Sequence, residues 1–245
     1  MDGDGQPEII AGCTNSQISA FDRGFSRIWN FDGVFHGVRE VRCADLDDDG
    51  RPEVLAADHY GSVNIISADG KTRTRVYSEL GDVAFGTGDM DGDGRRELVN
   101  GSSTGALSAY AYPAKRLFTF NNYGYAVRAI LLVDTDGDGK DETLVASDTG
   151  YLYALDAKGV VKWQADLGAA VLHVASGRVL EGGTTGIVTG QRDGLVRVLD
   201  PSGRTVSTHS LGAPVKLLKC ADVDGDGHDE IIAVDDANRL VVLRR

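Results

Sequence analysis

One nine-residue pattern, D-x-D-x-D-G-x-x-E, recurs in register along the chain and constrains its fold more than any other feature. It is complete at Asp45 to Glu53 (DLDDDGRPE), Asp89 to Glu97 (DMDGDGRRE), Asp134 to Glu142 (DTDGDGKDE) and Asp222 to Glu230 (DVDGDGHDE). It is nearly complete at Met1 to Glu8 (MDGDGQPE). Measured at the second aspartate, successive copies lie 45, 44, 45 and 88 residues apart. The last step is two units of 44, which places a sixth copy from residue 178. There the sequence reads RVLEGGTTG: Arg178, Leu180, Gly182 and Gly186 replace the carboxylates, while Gly183 keeps the turn glycine. Self-similarity at such a period marks a repeat architecture.

The pattern has the chemistry of a hard-cation site. Acids at positions 1, 3 and 5, a glycine that allows a sharp turn at 6, and a glutamate at 9 able to bind with both oxygens form the oxygen cage that Ca2+ requires. An EF-hand begins in the same way but needs an acid at position 12; here that position holds Ala56, Asn100, Val145 and Ala233. Asp48, Asp141 and Asp229 fall at non-ligand positions and are expected to face solvent. Four complete sites are expected, a partial fifth at the N-terminus, and no ion at 178–186. Either Arg178 stands in for the missing ion there, pairing with carbonyls or Glu181, or the copy has simply degenerated.

The formal charge of −12 follows from these loops, which hold 19 of the 37 acids; the other 18 are outnumbered by 25 Lys and Arg. Five Ca2+ ions would bring the net charge to −2, so the acidity is local. Neither a nucleic-acid footprint nor a wide acidic field results. Hydrophobic residues make up 42% of the chain, enough for a sizeable core, yet no apolar run is long enough to insert in a membrane. The start, Met1-Asp2-Gly3-Asp4, has no signal-peptide character, so either the protein is cytoplasmic or its leader lies outside this chain. Cys13, Cys43 and Cys220 match no zinc spacing and are expected to be buried structural thiols.

Between loops each copy divides into four short β-rich segments, A to D, punctuated by Gly, Asp and Asn; one set is HGVREVRCA, PEVLAA, SVNIISA and TRTRVYS. Four strands per unit of about 44 residues is the arithmetic of a β-propeller blade. The expected fold is therefore an all-β propeller with almost no helix. Its repeats run near 1–44, 45–88, 89–133, 134–177, 178–221 and 222–245 of a single domain. The first repeat lacks strand A and the last lacks strand D.

Loops and spacing together resemble the FG-GAP/VCBS-type calcium-binding propeller repeat, the group that includes the integrin α-subunit propeller. The resemblance implies coordination by side chains at positions 1, 3, 5 and 9 and by the backbone carbonyl at position 7. Its ligands would be Asp45, Asp47, Asp49, Arg51 and Glu53; Asp89, Asp91, Asp93, Arg95 and Glu97; Asp134, Asp136, Asp138, Lys140 and Glu142; and Asp222, Asp224, Asp226, His228 and Glu230. The partial first site would use Asp2, Asp4, Gln6 and Glu8. ALDAKGVVKW and AFDRGFSRIW are also similar to the tryptophan-docking repeat of quinoprotein propellers, which implies that Trp29 and Trp163 staple adjacent blades; a quinone cofactor is not implied.

No catalytic set is legible. His36, His59, His173, His209 and His228 are scattered, and neither G-x-S-x-G nor H-E-x-x-H occurs. With ions on the A-to-B loops, the B-to-C and D-to-A connections form the opposite face. They carry Phe35, His36, His59, Tyr60, Asn121, Asn122, Tyr123, Tyr125, Arg192 and Asp193, groups suited to a protein or glycan ligand. The expected function is a non-catalytic, Ca2+-stabilised recognition, adhesion or scaffold domain, extracellular or at the cell surface. The alternatives are a polysaccharide lyase or hydrolase and an intracellular scaffold subunit. Oligomeric state is left open.

Overall fold

The computed structural model describes residues 5–34, 36–77, 81 and 83–244. Among them, 22 strands form six antiparallel sheets, and the one helical turn is a 3-10 segment at Glu181–Gly183. The chain divides into two compact units, 1–124 and 125–245.

In the first unit, β1 (Ile9–Gly12), β2 (Gln17–Phe21) and β3 (Arg27–Asp32) make a three-stranded sheet. Two four-stranded meanders follow. One is β4 (Val38–Ala44), β5 (Glu53–Asp58), β6 (Ser62–Ile66) and β7 (Arg73–Tyr77); the other is β8 (Val83–Gly88), β9 (Glu97–Ser102), β10 (Ala106–Ala111) and β11 (Lys115–Asn121). The second unit holds β12 (Val127–Val133), β13 (Glu142–Ser147), β14 (Tyr151–Leu155) and β15 (Val161–Asp166), then β16 (Val171–Gly177), β17 (Gly186–Gln191), β18 (Leu195–Leu199) and β19 (Thr205–Ser210). It closes with the three strands β20 (Val215–Ala221), β21 (Glu230–Asp235) and β22 (Leu240–Leu243). Strand count and incomplete first and last repeats are as the sequence predicts.

Within each unit the core lies between consecutive sheets. Second strands such as β5, β9 and β13 are buried along their whole length, as expected of strands covered on both faces. Leu55, Ala57, Val63 and Ile65 of one sheet pack with Phe85, Leu98 and Tyr110 of the next. In the second unit Leu144, Ala146 and Leu152 meet Val171, Ile187 and Leu199. The approach is close: a Cβ on Gly12 would lie 2.4 Å from Val38 Cγ1, and one on Gly190 2.6 Å from Val215 Cγ1.

Both tryptophans pack against the following sheet. Trp29 of β3 donates its indole N–H to the Ala68 carbonyl at 3.1 Å and covers Gly70. Trp163 of β15 covers Gly203 in the same way. Each glycine has positive φ, and a Cβ on either would fall 2.6 Å from the indole. Only glycine meets both conditions.

The thiols depart from expectation. Cys13 and Cys43 are exposed and Cys220 is half-buried, all three unbridged. Cys13 lies beyond the end of β1, and Cys43 sits on an edge strand paired on one side only. Burial, with the Asp229 charge as a lesser cause, pushes the Cys220 thiol up to about 12.

Candidate metal centres and the opposite face

Each A-to-B loop is built by its own acids before any ion is considered. The first aspartate accepts main-chain N–H groups across the turn, the same bond recurring from Gly50 to Asp45 (2.8 Å), Gly94 to Asp89 (2.9 Å), Gly139 to Asp134 (3.0 Å) and Gly227 to Asp222 (2.9 Å). The position-5 aspartates accept from position 7, at 2.8 to 2.9 Å, in all four loops. The position-9 glutamates reach back to the N–H of position 2, from Leu46, Met90, Thr135 and Val223, at 2.9 to 3.0 Å. Positive φ is needed at position 4 as well as 6; Gly92, Gly137 and Gly225 supply it, and Asp48 adopts it at +60°.

Among the described residues these bonds converge the acids into four clusters that could hold a metal ion. In three loops the convergent set is positions 1, 3 and 9: Asp45, Asp47 and Glu53; Asp89, Asp91 and Glu97; Asp134, Asp136 and Glu142. In the fourth it is Asp222, Asp224 and Asp226. Within each set, one ligand atom per residue lies within 4.8 Å of the others. Asp49, Asp93, Asp138 and Glu230 stand outside these tight sets, held by their main-chain bonds. Asp2, Asp4 and Phe35 lie outside the described residues; Gln6 and Glu8 are described, Gln6 exposed and Glu8 half-buried.

The electrostatics fit a divalent cation. Glu53, Glu97, Glu142 and Glu230 are only 3 to 6% exposed, and a buried carboxylate is costly without a compensating charge. Burial first, then repulsion from Asp91, Asp93 and Asp89, pushes Glu97 up to about 7. Glu53 is raised by the same causes. Asp47, a member of the first cluster, has its Oδ1 buried without a hydrogen-bond partner, an acceptor that a cation there would satisfy.

Two features of the loops were not legible in sequence. Lys162 of β15 places its ammonium 2.6 Å from Asp136 Oδ2 and 2.7 Å from Glu142 Oε1, between ligands of the 134–142 loop. Asp229 is not merely solvent-facing: it accepts the Arg178 N–H at 2.7 Å and donates its own to the Arg178 carbonyl at 3.2 Å, tying the 178–186 segment to the last loop. Asp222 is held below its usual range chiefly by N–H bonds from Gly227, with the Arg178 charge a small addition.

At the other end of the second to sixth sheets, buried polar side chains stand at the B-to-C turns. Asp58, Ser102, Ser147, Gln191 and Asp235 are all 0 to 1% exposed. Asp58 accepts from Tyr60 N and Ser62 N at 2.9 and 3.0 Å, and Asp235 from Arg239 N and Nε at 2.9 and 2.7 Å. In the first unit, His36 and Tyr60 bring their ring centroids to 3.9 Å, tilted by 40°. His59, Asn121 and Tyr123 are exposed, whereas Asn122 is buried and donates its N–H to the Gly105 carbonyl. In the second unit Tyr125 is exposed, Asp193 caps its own turn through Leu195 N at 3.1 Å, and Arg192 bonds Asp148 at 3.0 Å. Arg128 bonds the same carboxylate through Nε at 2.8 Å, so two guanidiniums share one acid.

A family model described as the λ-carrageenase β-propeller domain matches residues 97–211. Among solved structures the chain is similar to BBS1N in complex with ARL6DN, in crystals soaked with mercury and with lead. These are 14% and 15% identical, with a TM-score of 0.71 and coverage of 96% of this chain and 73% of theirs. No curated protein sequence matches. The fold is thus a β-propeller of four-stranded antiparallel blades, and the acidic clusters sit on its A-to-B loops.

Proposed function

We propose that the chain is a single Ca2+-stabilised β-propeller domain of the FG-GAP/VCBS type, acting as a non-catalytic recognition or scaffold module. The observation that carries this reading is the fourfold recurrence, in register, of a convergent carboxylate cluster in a loop whose position-9 glutamate is 3 to 6% exposed. Divalent oxygen-seeking ions suit such cages, and Ca2+ tolerates irregular coordination where Mg2+ demands an octahedron. Extracellular calcium modules work with Kd of about 10⁻⁴ to 10⁻³ M, which matches an extracellular or cell-surface setting. Calorimetry on chelator-stripped protein should show saturable Ca2+ binding in that range at the four complete loops; no binding at about 10 mM Ca2+ would end the reading.

With the A-to-B ends committed to metal, the B-to-C and D-to-A ends are left to meet a partner. The exposed Tyr60 and Tyr123 of the first unit offer aromatic contact area, and Arg128 and Arg192 of the second carry one positive charge beyond Asp148. BBS1N, which shares the fold, was crystallised with another protein, ARL6DN, and a protein partner is our first choice for this face. The carrageenase family match favours a second reading, the propeller of a polysaccharide lyase or hydrolase. Incubation with acidic polysaccharides and calcium should leave chain length unchanged; release of new chain ends would put the enzyme reading first.

A further inference from the structure

Among the bulges of the outer strands, one points a charge at a metal cage. In β14 and β15 the register jumps from Ala154 opposite Trp163 to Leu155 opposite Val161, which leaves Lys162 as the extra residue. The same irregularity leaves Ile28, Leu117 and Val206 as the extra residues in three other sheets, and β6 and β7 pair without a bulge. A bulge re-aims the side chain it releases. Leu117 lines the same cavity as Asp91, Asp93 and Glu97, so a side chain at this place reaches its loop. Three of these bulges are apolar, and the fourth is a lysine.

The Lys162 ammonium touches the position-3 and position-9 acids, 2.6 Å from Asp136 and 2.7 Å from Glu142. Those two, with Asp134, form the convergent ligand set of the loop. The ammonium therefore holds the place where a cation would bridge the same oxygens. Lys162 is two-thirds covered and Glu142 is 4% exposed, so the Glu142 contact is screened less by salt than the Asp136 contact, whose carboxylate is 46% exposed.

We propose that Lys162 is a tethered counter-ion that makes the 134–142 loop the weakest calcium site of the four and keeps that loop folded when calcium is scarce. Ca2+ must displace the ammonium to bring Asp136 and Glu142 onto the ion. Among the described residues no lysine from a bulge enters the other loops, and Arg244 approaches Asp224 of the last loop only to 3.9 Å. This rests on the calcium reading above.

Backbone amide spectra resolve the sites, because Gly50, Gly94, Gly139 and Gly227 each bond the first aspartate of one loop. During a Ca2+ titration of the wild-type chain, the Gly139 amide should move last. In Lys162→Met its midpoint should fall by about tenfold or more while the other three stay in place; Lys162→Arg should keep the high midpoint. Thermal melts supply a second measurement: Lys162→Met should be less stable than wild type in EDTA and equal to it in saturating Ca2+. A Gly139 midpoint level with the others, or unmoved in Lys162→Met, overturns the proposal and leaves the calcium reading standing. Silence of all four glycines overturns both. Equal destabilisation with and without calcium assigns Lys162 to packing alone and also overturns the proposal.

Discussion

Stripping calcium should lower the melting temperature by about 20 °C or more. Each independent site at about 100 Kd of free ion adds roughly 2.7 kcal/mol, so four add about 11 kcal/mol. For a chain of this size each kcal/mol is worth about 2–4 °C. The structural reason is that each acidic cluster lies in a turn between two strands whose position-9 glutamate is buried near the loop aspartates, with a lysine ammonium beside it in the 134–142 loop. Melts in EDTA and in excess CaCl2, with MgCl2 as control, check this. An unchanged melting temperature would remove the stabilising role of the ion.

Glu97→Gln should reverse its sign with calcium. In the metal-free protein, burial and the neighbouring aspartates hold the Glu97 carboxyl at about 7, against an ordinary value of 4.5. The folded chain thus binds this proton more tightly than the unfolded chain. Its contribution favours folding below about 4.5 and is lost progressively as pH rises through about 7. At pH 8 in EDTA, removing the charge should therefore stabilise by about 1–3 kcal/mol, and flatten the decline between pH 5 and 8. The amide keeps an oxygen for the Met90 N–H, so the turn survives. In saturating calcium the same change removes a charged ligand and should cost about 3 kcal/mol. Melts of one variant in two buffers read both signs.

Much of this was written in the sequence because the repeat states it several times. Strand runs such as ETLVAS and YLYAL, bounded by Gly and Asp, became β13 and β14 with little adjustment. The cage acids were visible because local spacing alone brings Asp89, Asp91 and Glu97 together. Lys162 was not, since it lies 20 residues beyond Glu142 and only a bulge turns it toward the loop. Asp229 reads as solvent-facing in the sequence because its partner, the Arg178 main chain, is 51 residues away. The need for positive φ at position 4 could have been read from the recurring D-G-D-G, but Asp48 obscures it in one copy. Burial of Cys13 and Cys43 was inferred from residue type, and edge position decided otherwise.

The residue at loop position 2 has a further effect. Its N–H is held by the cage glutamate in all four loops, but its side chain differs: Leu46 and Met90 are 1% exposed, whereas Val223 is 51% exposed and Thr135 turns its hydroxyl onto Glu142. Leu46 packs with Phe85 and Leu98 of the next sheet. In the first unit, then, the same short backbone link would join a bound ion to the hydrophobic seam, and losing the ion should loosen the seam. In the second unit the link ends at the surface at Val223 and turns back onto the cage at Thr135. As calcium falls, a protease should find its first cuts before residue 124, and the two halves of the chain would register the same drop in the ion as a failure in one and a tremor in the other.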